Sequence, residues 1–426
     1  MLELLPASAA IEDGRLHLGG IAAASLAAEY GTPLLVLCEQ TALAQARAYR
    51  RAAPEALIAY GTKALPNVAL LRLLAREGLG ADVSTLGELR FALQAGVPPE
   101  RLVVHGNNKS DEELRGAAEA GAGLLVLDAL EEVDRARAAG IGRVLVRVTS
   151  GIEADTHEAI RTSQHGSKFG LPADEAVEGI ARARAAGLEV AGLHVHIGSQ
   201  LLETQAAATT VEWLAAFAAR CRLELDGWTP DVVDLGGGLG VRHVDDERPP
   251  AAERFVAELV RDLERAWSLH DLPRPRLVLE PGRSLVGRAG VTLYRVGVVK
   301  RATESVTYVT VDGGMSDNPR PQLYGARYAA LLADRADEPP AGRYSVAGKH
   351  CEADTLIAEV ELPAPRRGDL LAVPATGAYT LSMSSNYNAL PRPAAVLVAD
   401  GAARVIRRRE TLDDLLALEV GADASG

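Results

Sequence analysis

The chain has 426 residues, of which 48% are hydrophobic and 24% are charged, a composition typical of a globular protein with a full core. Its formal net charge of -12, from 45 basic and 57 acidic residues, argues against a binder of nucleic acids or other polyanions. No apolar run approaches the roughly 20 residues that span a bilayer, and the N-terminus lacks a signal-peptide pattern. We therefore expect a cytoplasmic globular enzyme with no membrane partner.

The first 39 residues precede any repeating pattern and end within the apolar stretch TPLLVLCEQ. Because chain termini often lie together in a fold, we predict that residues 1–39 pack on the C-terminal domain described below.

Eight short apolar segments then alternate with segments that have apolar residues at helical spacing and that close on glycine. This alternation predicts the α/β class and a (β/α)8 barrel over residues 40–282. A doubly wound open sheet is the alternative, because the number of strands does not prove closure. The eight segments are 57–63, 80–85, 101–106, 123–128, 143–149, 192–198, 231–237 and 276–282.

The pattern changes after Gly282. Segments such as GVTLYRVGVVKRA, SVTYVTVDGG, TLIAEVELP and AVLVADG follow one another with turns and few helices between them. Such a succession predicts an antiparallel β domain over residues 283–426, with a last helix in ETLDDLLAL.

Functional residues of such a barrel lie at the carboxyl ends of its strands, and Lys63 ends the first predicted strand. A charged side chain there is costly unless it reaches water or a functional cleft. Lys63 is thus either a surface lysine or an amine that forms a Schiff base with a carbonyl group.

The seventh predicted strand ends in DLGGGLG, and the sixth carries His194 and His196. The glycines form either a tight turn or a cradle of backbone amides for a phosphate. The two histidines share one face of their strand. They predict a ring packed on a flat ligand or a satisfied core histidine, and no metal site, because no second group of His and Asp at other strand ends completes one.

Two further residues allow a chemical and a structural interpretation. Glu280, after the eighth strand, is either a helix cap or ion-pair partner of Arg283, or an acceptor for a heteroaromatic nitrogen. Cys351 in KHCEAD is either a small buried residue or a proton donor, because the flanking acids disfavour its thiolate. Three cysteines in all are too few for a disulfide framework or a four-ligand zinc site.

The motifs together resemble one family. YGTKALPN, ADVSTLGEL, VHGNNKSDEEL, HVHIGSQ, DLGGGLG, EPGRS, DNPRPQLYGARY, GKHCEAD and GAYTLSMSSNYN occur in the order found in the fold-type III pyridoxal-phosphate decarboxylases. The resemblance covers residues 25–410 and is strongest to the members that act on diaminopimelate. It implies the barrel and β domain predicted above, pyridoxal 5'-phosphate as cofactor, and a homodimer with active sites at its interface.

The resemblance also implies a role for each motif residue. Lys63 would bind the cofactor covalently, His196 would stack on its ring and Glu280 would pair with the pyridinium nitrogen. Cys351, reaching the site from the partner chain, would donate the proton that replaces the lost carboxylate. The residues implied to hold the cofactor are Lys63, His196, Ser199, Gly236, Gly237, Gly238, Glu280, Arg283 and Tyr379. Those implied to bind the substrate are Arg283, Arg320, Tyr324, Glu352 and Tyr379.

The far end of the substrate decides between members of the family. A distal carboxylate requires planar, bidentate partners such as Arg283 and Arg320, and Glu352 can pair with a distal ammonium. These residues favour conversion of meso-2,6-diaminopimelate to L-lysine and CO2 in lysine biosynthesis.

Three departures from the family pattern leave other substrates open. They are the residues around Lys63 in YGTKALPN, the missing Asn-Pro in segment 148–170, and a CEAD stretch one residue short. The alternatives are a sister decarboxylase for ornithine, arginine, lysine, carboxynorspermidine or a related biosynthetic amino acid. A catalytically silent relative that binds partners, and a metal-dependent barrel hydrolase, are more distant possibilities.

Overall fold

A computed structural model of the protein describes residues 1–151 and 167–421. Residues 152–166, which are most of segment 148–170, lie outside the described residues. The chain divides into two compact units. The barrel unit comprises Leu43–Val241 and Arg248–Leu285, and the β unit comprises Met1–Ala42, Arg242–Glu247 and Val286–Gly426.

The strands of the described residues are, in chain order, β1 (Ala9–Glu12), β2 (Arg15–Leu18), β3 (Ile21–Ala22), β4 (Leu34–Cys38), β5 (Leu57–Gly61), β6 (Gly80–Val83), β7 (Leu102–Val104), β8 (Leu124–Leu127), β9 (Arg143–Arg147), β10 (Glu189–His194), β11 (Val232–Asp234), β12 (Arg276–Leu279), β13 (Gly290–Arg301), β14 (Thr307–Val311), β15 (Leu331–Leu332), β16 (Gly342–Ala347), β17 (Thr355–Leu362), β18 (Leu370–Pro374), β19 (Ala394–Ala399) and β20 (Ala402–Arg407).

The α-helices are α1 (Ala23–Tyr30), α2 (Glu39–Ala52), α3 (Val68–Arg76), α4 (Leu86–Ala95), α5 (Asp111–Ala120), α6 (Glu132–Ala138), α7 (Ala173–Ala185), α8 (Gln205–Glu224), α9 (Ala252–Leu269), α10 (Arg283–Val286), α11 (Arg320–Tyr324) and α12 (Leu412–Leu416). None of these helices is long and apolar enough to cross a membrane.

The barrel unit is a closed barrel of eight parallel strands in the order β10-β11-β12-β5-β6-β7-β8-β9. Nearly all residues of these strands are buried, as expected when side chains fill the inside and helices cover the outside. The interior cluster includes Ala59, Val103, Leu145 and Val278. The predicted barrel is confirmed, and the alternative of an open sheet is wrong.

Local sequence signals position the helices between these strands. Asn67 caps α3 by accepting hydrogen bonds from two backbone amides, and Ser110 forms a capping box with Glu113 at the start of α5. Gly96 ends α4 and Gly121 ends α5 in the left-handed conformation, which glycine adopts without steric cost. These caps fix where each chain segment leaves a helix and enters the next strand.

The β unit is built on a nine-stranded sheet in which the N-terminal strand β4 is central. The main path is β17-β16-β14-β13-β4-β19-β20, and β18 pairs with both β13 and β15. β4 pairs antiparallel with β13 and parallel with β19, and all five of its residues are buried. The predicted β domain joined by the N-terminal strand is confirmed. Its sheet is mostly antiparallel, with parallel pairings at β4–β19 and β14–β16.

Gly192 in β10 gives a test of barrel packing. A Cβ atom at this position would lie 1.8 Å from the carbonyl oxygen of Val232 in the neighbouring strand. Because the obstacle is backbone, we expect Gly192→Ala to lower the free energy of unfolding by about 2 kcal/mol or more in urea titrations. Gly142→Ala is the control, because a Cβ atom there meets nothing within 4 Å. Equal stability of the two variants would contradict this account of the barrel.

Candidate active site

Four buried side chains meet at the carboxyl ends of the barrel strands. His105 follows β7, His194 ends β10, Asp234 ends β11 and Glu280 follows β12. One potential ligand atom from each lies within 4.8 Å of the others. Residues distant in sequence meet here because the carboxyl ends of parallel strands share one edge of the barrel.

Glu280 is the centre of this cluster. Its Oε1 lies 2.5 Å from Nε2 of His105, and its Oε2 lies 3.6 Å from Nε2 of His194. Burial by itself raises the pKa of a carboxyl group, but the charge and hydrogen bond of His105, together with the contact to His194, hold the pKa of Glu280 well below its usual range. Glu280 is therefore a buried carboxylate anion.

The pKa shifts of the neighbouring groups favour their neutral forms. Burial, followed by the charge of Glu280, raises the pKa of Asp234 well above its usual range and also raises the pKa of Asp82, despite the nearby positive charge of Lys63. Burial lowers the pKa of His194 to about 3. The cluster thus concentrates negative charge on Glu280, while the pKa shifts of Asp234, Asp82 and His194 each favour the neutral form of the group.

A metal ion does not fit between the strongest pair of this cluster. Metal ligands stand about 2 Å from the ion, whereas His105 and Glu280 are already joined by a hydrogen bond of 2.5 Å. The structure nevertheless differs from the sequence-based reasoning here. A second group of His and acidic residues does lie near His194, but its members contact one another directly, through the hydrogen bond between His105 and Glu280 and the 3.6 Å contact of His194 with Glu280.

Lys63 lies in the helical turn Thr62–Ala64 that follows β5, and its side chain is exposed. His196 is close enough for the charge of Lys63 to contribute to the lowering of its pKa, after the larger effect of burial. A neutral imidazole and an accessible amine are therefore close together at the carboxyl ends of the barrel strands.

The glycine run forms a close cradle beside His196. A Cβ atom on Gly236 would lie 2.6 Å from Nδ1 of His196, and one on Gly237 would lie 2.4 Å from the carbonyl oxygen of Glu280. The amide of Gly236 donates to Asp234 Oδ1 at 2.8 Å. The amides of Gly237 and Gly238 have no acceptor among the described residues, so this backbone fits a phosphate group.

Arg283, at the start of α10, approaches the same edge. It is buried, and its Nη2 donates to Ser199 Oγ at 3.4 Å. Both residues thus lie in the barrel unit together with Lys63, His196 and the glycine cradle.

The other predicted residues belong to the β unit. Cys351 is exposed, so the interpretation of it as a small buried residue is wrong. Its amide donates to Asn388 Oδ1 at 3.2 Å. The neighbouring Glu352 is also exposed and accepts a hydrogen bond from the Tyr387 hydroxyl. Tyr379 is half-buried and has a φ of 58°, a conformation that non-glycine residues rarely adopt and that is enriched at functional sites.

Arg320 begins α11, the short helix that Tyr324 ends. Its guanidinium is buried and donates to Nε2 of His243 at 3.1 Å and to the hydroxyl of Tyr328. No carboxylate forms an ion pair with Arg320 in the described parts of the chain. A buried cation with only neutral partners is incomplete electrostatically, and this arrangement suits an anionic ligand.

Several of these residues are absent from the sequence-based set. They are Asp82, His105, Asp234, His243 and Tyr328. The first three are polar residues in or directly after predicted barrel strands, in GADVST, RLVVHG and DVVDLGG, so strand position could have indicated them. His243 and Tyr328 carry no such signal.

The comparisons with known proteins agree with this geometry. Residues 40–287 match the sequence model of the pyridoxal-dependent decarboxylases, pyridoxal binding domain. The chain belongs to the pyridoxal-dependent decarboxylase family. It is therefore a decarboxylase whose cofactor is pyridoxal phosphate, and both of these predictions are confirmed.

Relatives that are similar over nearly the whole chain are diaminopimelate decarboxylases. The chain is 44% identical to the diaminopimelate decarboxylase of Actinosynnema pretiosum subsp. auranticum, with 98% of this chain and 95% of the relative covered. It is 40% identical to that of Bacillus subtilis (strain 168), with 96% of each covered. A solved structure of diaminopimelate decarboxylase from M. jannaschii in co-complex with L-lysine is 32% identical, with a TM-score of 0.89 and coverage of 97% of this chain and 98% of that chain.

The low pKa of His194 predicts how stability depends on pH. The folded state holds this ring neutral, with a pKa of about 3, whereas the unfolded chain protonates it below about pH 6.5. The stabilisation is complete above that pH and is lost as the pH falls. Between about pH 7.5 and pH 5 we expect the wild type to lose about 2 kcal/mol more than His194→Gln.

Urea unfolding of both proteins at the two pH values measures this difference. All other titrating groups are common to the two chains, so the difference reports His194 together with the groups it contacts, chiefly Glu280. An identical loss in both would show that His194 is not held neutral in the folded state.

Proposed function

We propose that this protein decarboxylates meso-2,6-diaminopimelate to L-lysine and CO2 with pyridoxal 5'-phosphate as cofactor. The observation that carries the choice of substrate is the buried guanidinium of Arg320, which has no carboxylate partner within the described residues. Similarity over almost the whole chain to diaminopimelate decarboxylases supports the same choice.

The barrel residues fit the cofactor by charge and by shape. The amides of Gly237 and Gly238 suit its phosphate, with Ser199, Arg283 and Tyr379 contributing in our proposal. Glu280, held as an anion by His105, suits a protonated pyridine nitrogen. When bound, pyridoxal phosphate accepts the electron pair that the departing CO2 leaves behind.

The roles of the chain's own groups follow from their chemistry. Lys63 would hold the cofactor at its aldehyde group through its exposed amine, and this amine would be released when the substrate amine binds. His196, a neutral ring beside the glycine cradle, packs on the flat cofactor and keeps it oriented. Glu280 would hold a proton on the cofactor's pyridine nitrogen.

Recognition of the far end of the substrate falls mainly to residues of the β unit in our proposal, with Arg283 of the barrel unit assisting. Arg320 pairs with the distal carboxylate in a bidentate manner, and Arg283 and Tyr324 assist in binding it. Glu352 pairs with the distal ammonium. Ornithine and lysine, decarboxylated at their only carboxylate, would leave the Arg320 guanidinium uncompensated.

Cys351 is the proposed proton donor that completes the reaction. Its side chain is exposed, so it is accessible to a neighbouring molecule. We propose that it acts in the active site of a partner subunit and that the enzyme is a homodimer with shared sites. A cytoplasmic location suits this role, because the reducing cytosol keeps thiols free.

The substrate proposal is tested by measuring CO2 release from purified protein supplied with pyridoxal phosphate. The substrates compared are meso-diaminopimelate, L-lysine, L-ornithine and L-arginine. We expect release from diaminopimelate alone, with lysine as product. For Arg320→Ala we expect kcat/KM for diaminopimelate to fall about 100-fold or more, because a charge-assisted pair is lost, while the visible absorbance of bound cofactor is unchanged.

Arg327→Ala is the matched control, because Arg327 is exposed and paired with Asp246. It should behave as the wild type. CO2 release from another of the tested amino acids only would show that the protein is a sister decarboxylase with a different substrate. Equal loss of cofactor and substrate binding in Arg320→Ala would remove Arg320 from substrate recognition.

The shared site is tested by mixing two inactive variants. Lys63→Ala should lose turnover and the absorbance of covalently bound cofactor, and Cys351→Ala should lose turnover but keep the absorbance. In a two-fold symmetric dimer, each mixed dimer restores one complete site, so random exchange should recover about a quarter of wild-type activity.

Exchange between subunits must be followed independently, for example with differently tagged chains. No recovery despite exchange would mean that Lys63 and Cys351 act within one chain.

A further inference from the structure

His243 connects Arg320 to a carboxylate through a buried chain of hydrogen bonds. The ring is only 3% exposed and lies in the segment Arg242–Glu247, which belongs to the β unit. Its Nε2 lies 3.1 Å from Nη1 of Arg320, and its Nδ1 lies 3.4 Å from Oε2 of Glu247. The backbone amide of His243 also donates to Glu247 Oε2, at 2.6 Å.

The donor and acceptor roles in this chain are fixed by chemistry. A guanidinium can only donate hydrogen bonds, so Nε2 of His243 must accept from Arg320. The ring proton therefore sits on Nδ1 and faces the carboxylate of Glu247. Although burial raises the pKa of Glu247, the hydrogen bonds from His243 lower it overall, so the carboxylate stays ionised and holds this tautomer in place.

The same contacts hold the guanidinium of Arg320 through a single nitrogen atom. Its Nη1 donates both to His243 and to the hydroxyl of Tyr328. Its Nε is buried and has no hydrogen-bond partner in the part of the chain that the structure describes. Both acceptors are neutral, so they orient the guanidinium without neutralising its charge. The edge formed by Nε and Nη2 is left for a planar anion.

We propose that His243 and Glu247 are positioning residues that select substrates with a distal carboxylate by fixing the orientation of Arg320. This inference rests on the proposed role of Arg320 in the decarboxylation of diaminopimelate. A bidentate pair requires the guanidinium and the carboxylate to be coplanar, and a small misplacement of either weakens it steeply. Neither His243 nor Glu247 needs to contact the substrate for this effect.

The test compares ligands that differ only in the distal carboxylate. L-Lysine carries it, and cadaverine is the same diamine without it. Binding of both to the cofactor-loaded enzyme is measured by calorimetry, beside KM and kcat for meso-diaminopimelate. For His243→Leu we expect lysine affinity to fall and KM to rise, each about tenfold, with cadaverine affinity and kcat within about twofold of wild type.

Two further variants separate positioning from packing. His243→Gln keeps an acceptor for Arg320 and should recover part of the lysine affinity. Glu247→Gln removes the charge that fixes the tautomer while it preserves the volume, and it should weaken lysine binding in the same direction even if His243→Leu folds poorly. Asp246→Asn is the matched control, since it removes a charge from the adjacent, exposed residue and should change neither ligand.

The outcomes distinguish this inference from the proposed function. Equal weakening of lysine and cadaverine, or unchanged lysine binding in both His243→Leu and Glu247→Gln, would overturn it. If the wild type does not decarboxylate diaminopimelate, but the His243 and Glu247 variants prefer lysine over cadaverine less than the wild type does, the positioning role stands and the proposed reaction fails. A wild type that does not discriminate between lysine and cadaverine would refute the positioning role directly.

Discussion

The buried carboxylate of Glu280 is the constraint on which the barrel site depends. An isolated anion inside a protein costs several kcal/mol, yet the charge and hydrogen bond of His105, together with the contact to His194, keep Glu280 ionised against the effect of burial. His105 makes this possible through a direct hydrogen bond of 2.5 Å. The raised pKa values of Asp82 and Asp234 keep further negative charge out of the same space. The result is a single fixed charge at the floor of the site, which is what a protonated ring nitrogen requires.

The sequence was sufficient to predict the architecture because each strand and helix signals itself locally. Apolar runs, helix caps and closing glycines mark the alternation of strands and helices. This alternation fills the first two thirds of the chain, whereas strands with few helices between them follow Gly282. Closure of the barrel is a different matter, since it depends on the register between strands such as β9 and β10. Register has no local signature, so an open sheet could be excluded only by the structure.

The site was predictable where a residue is chemically conspicuous by itself. Lys63 and Glu280 end apolar strands, and three successive glycines indicate a tight turn or a cradle for a phosphate. His105 is an ordinary polar residue after a strand until closure brings it to Glu280. His243 was harder still, because a short segment within the predicted barrel domain belongs to the other unit. Hydrophobic patterning reports which residues are buried and carries no information on which unit buries them.

The two buried charged groups are held differently. Glu280 is held by histidine contacts, of which the one to His105 includes a favourable charge, whereas Arg320 is held by a histidine and a tyrosine. A carboxylate in place of either partner of Arg320 would satisfy the guanidinium better and stabilise the empty fold, but it would compete with an anionic ligand for the same atoms. The uncharged partners of Arg320 fix its direction and leave its charge unsatisfied. The neutral partner His243 is itself fixed by the ionised Glu247. The compensating carboxylate is therefore separated from the ligand by His243 and Arg320, so that Arg320 is oriented without being neutralised.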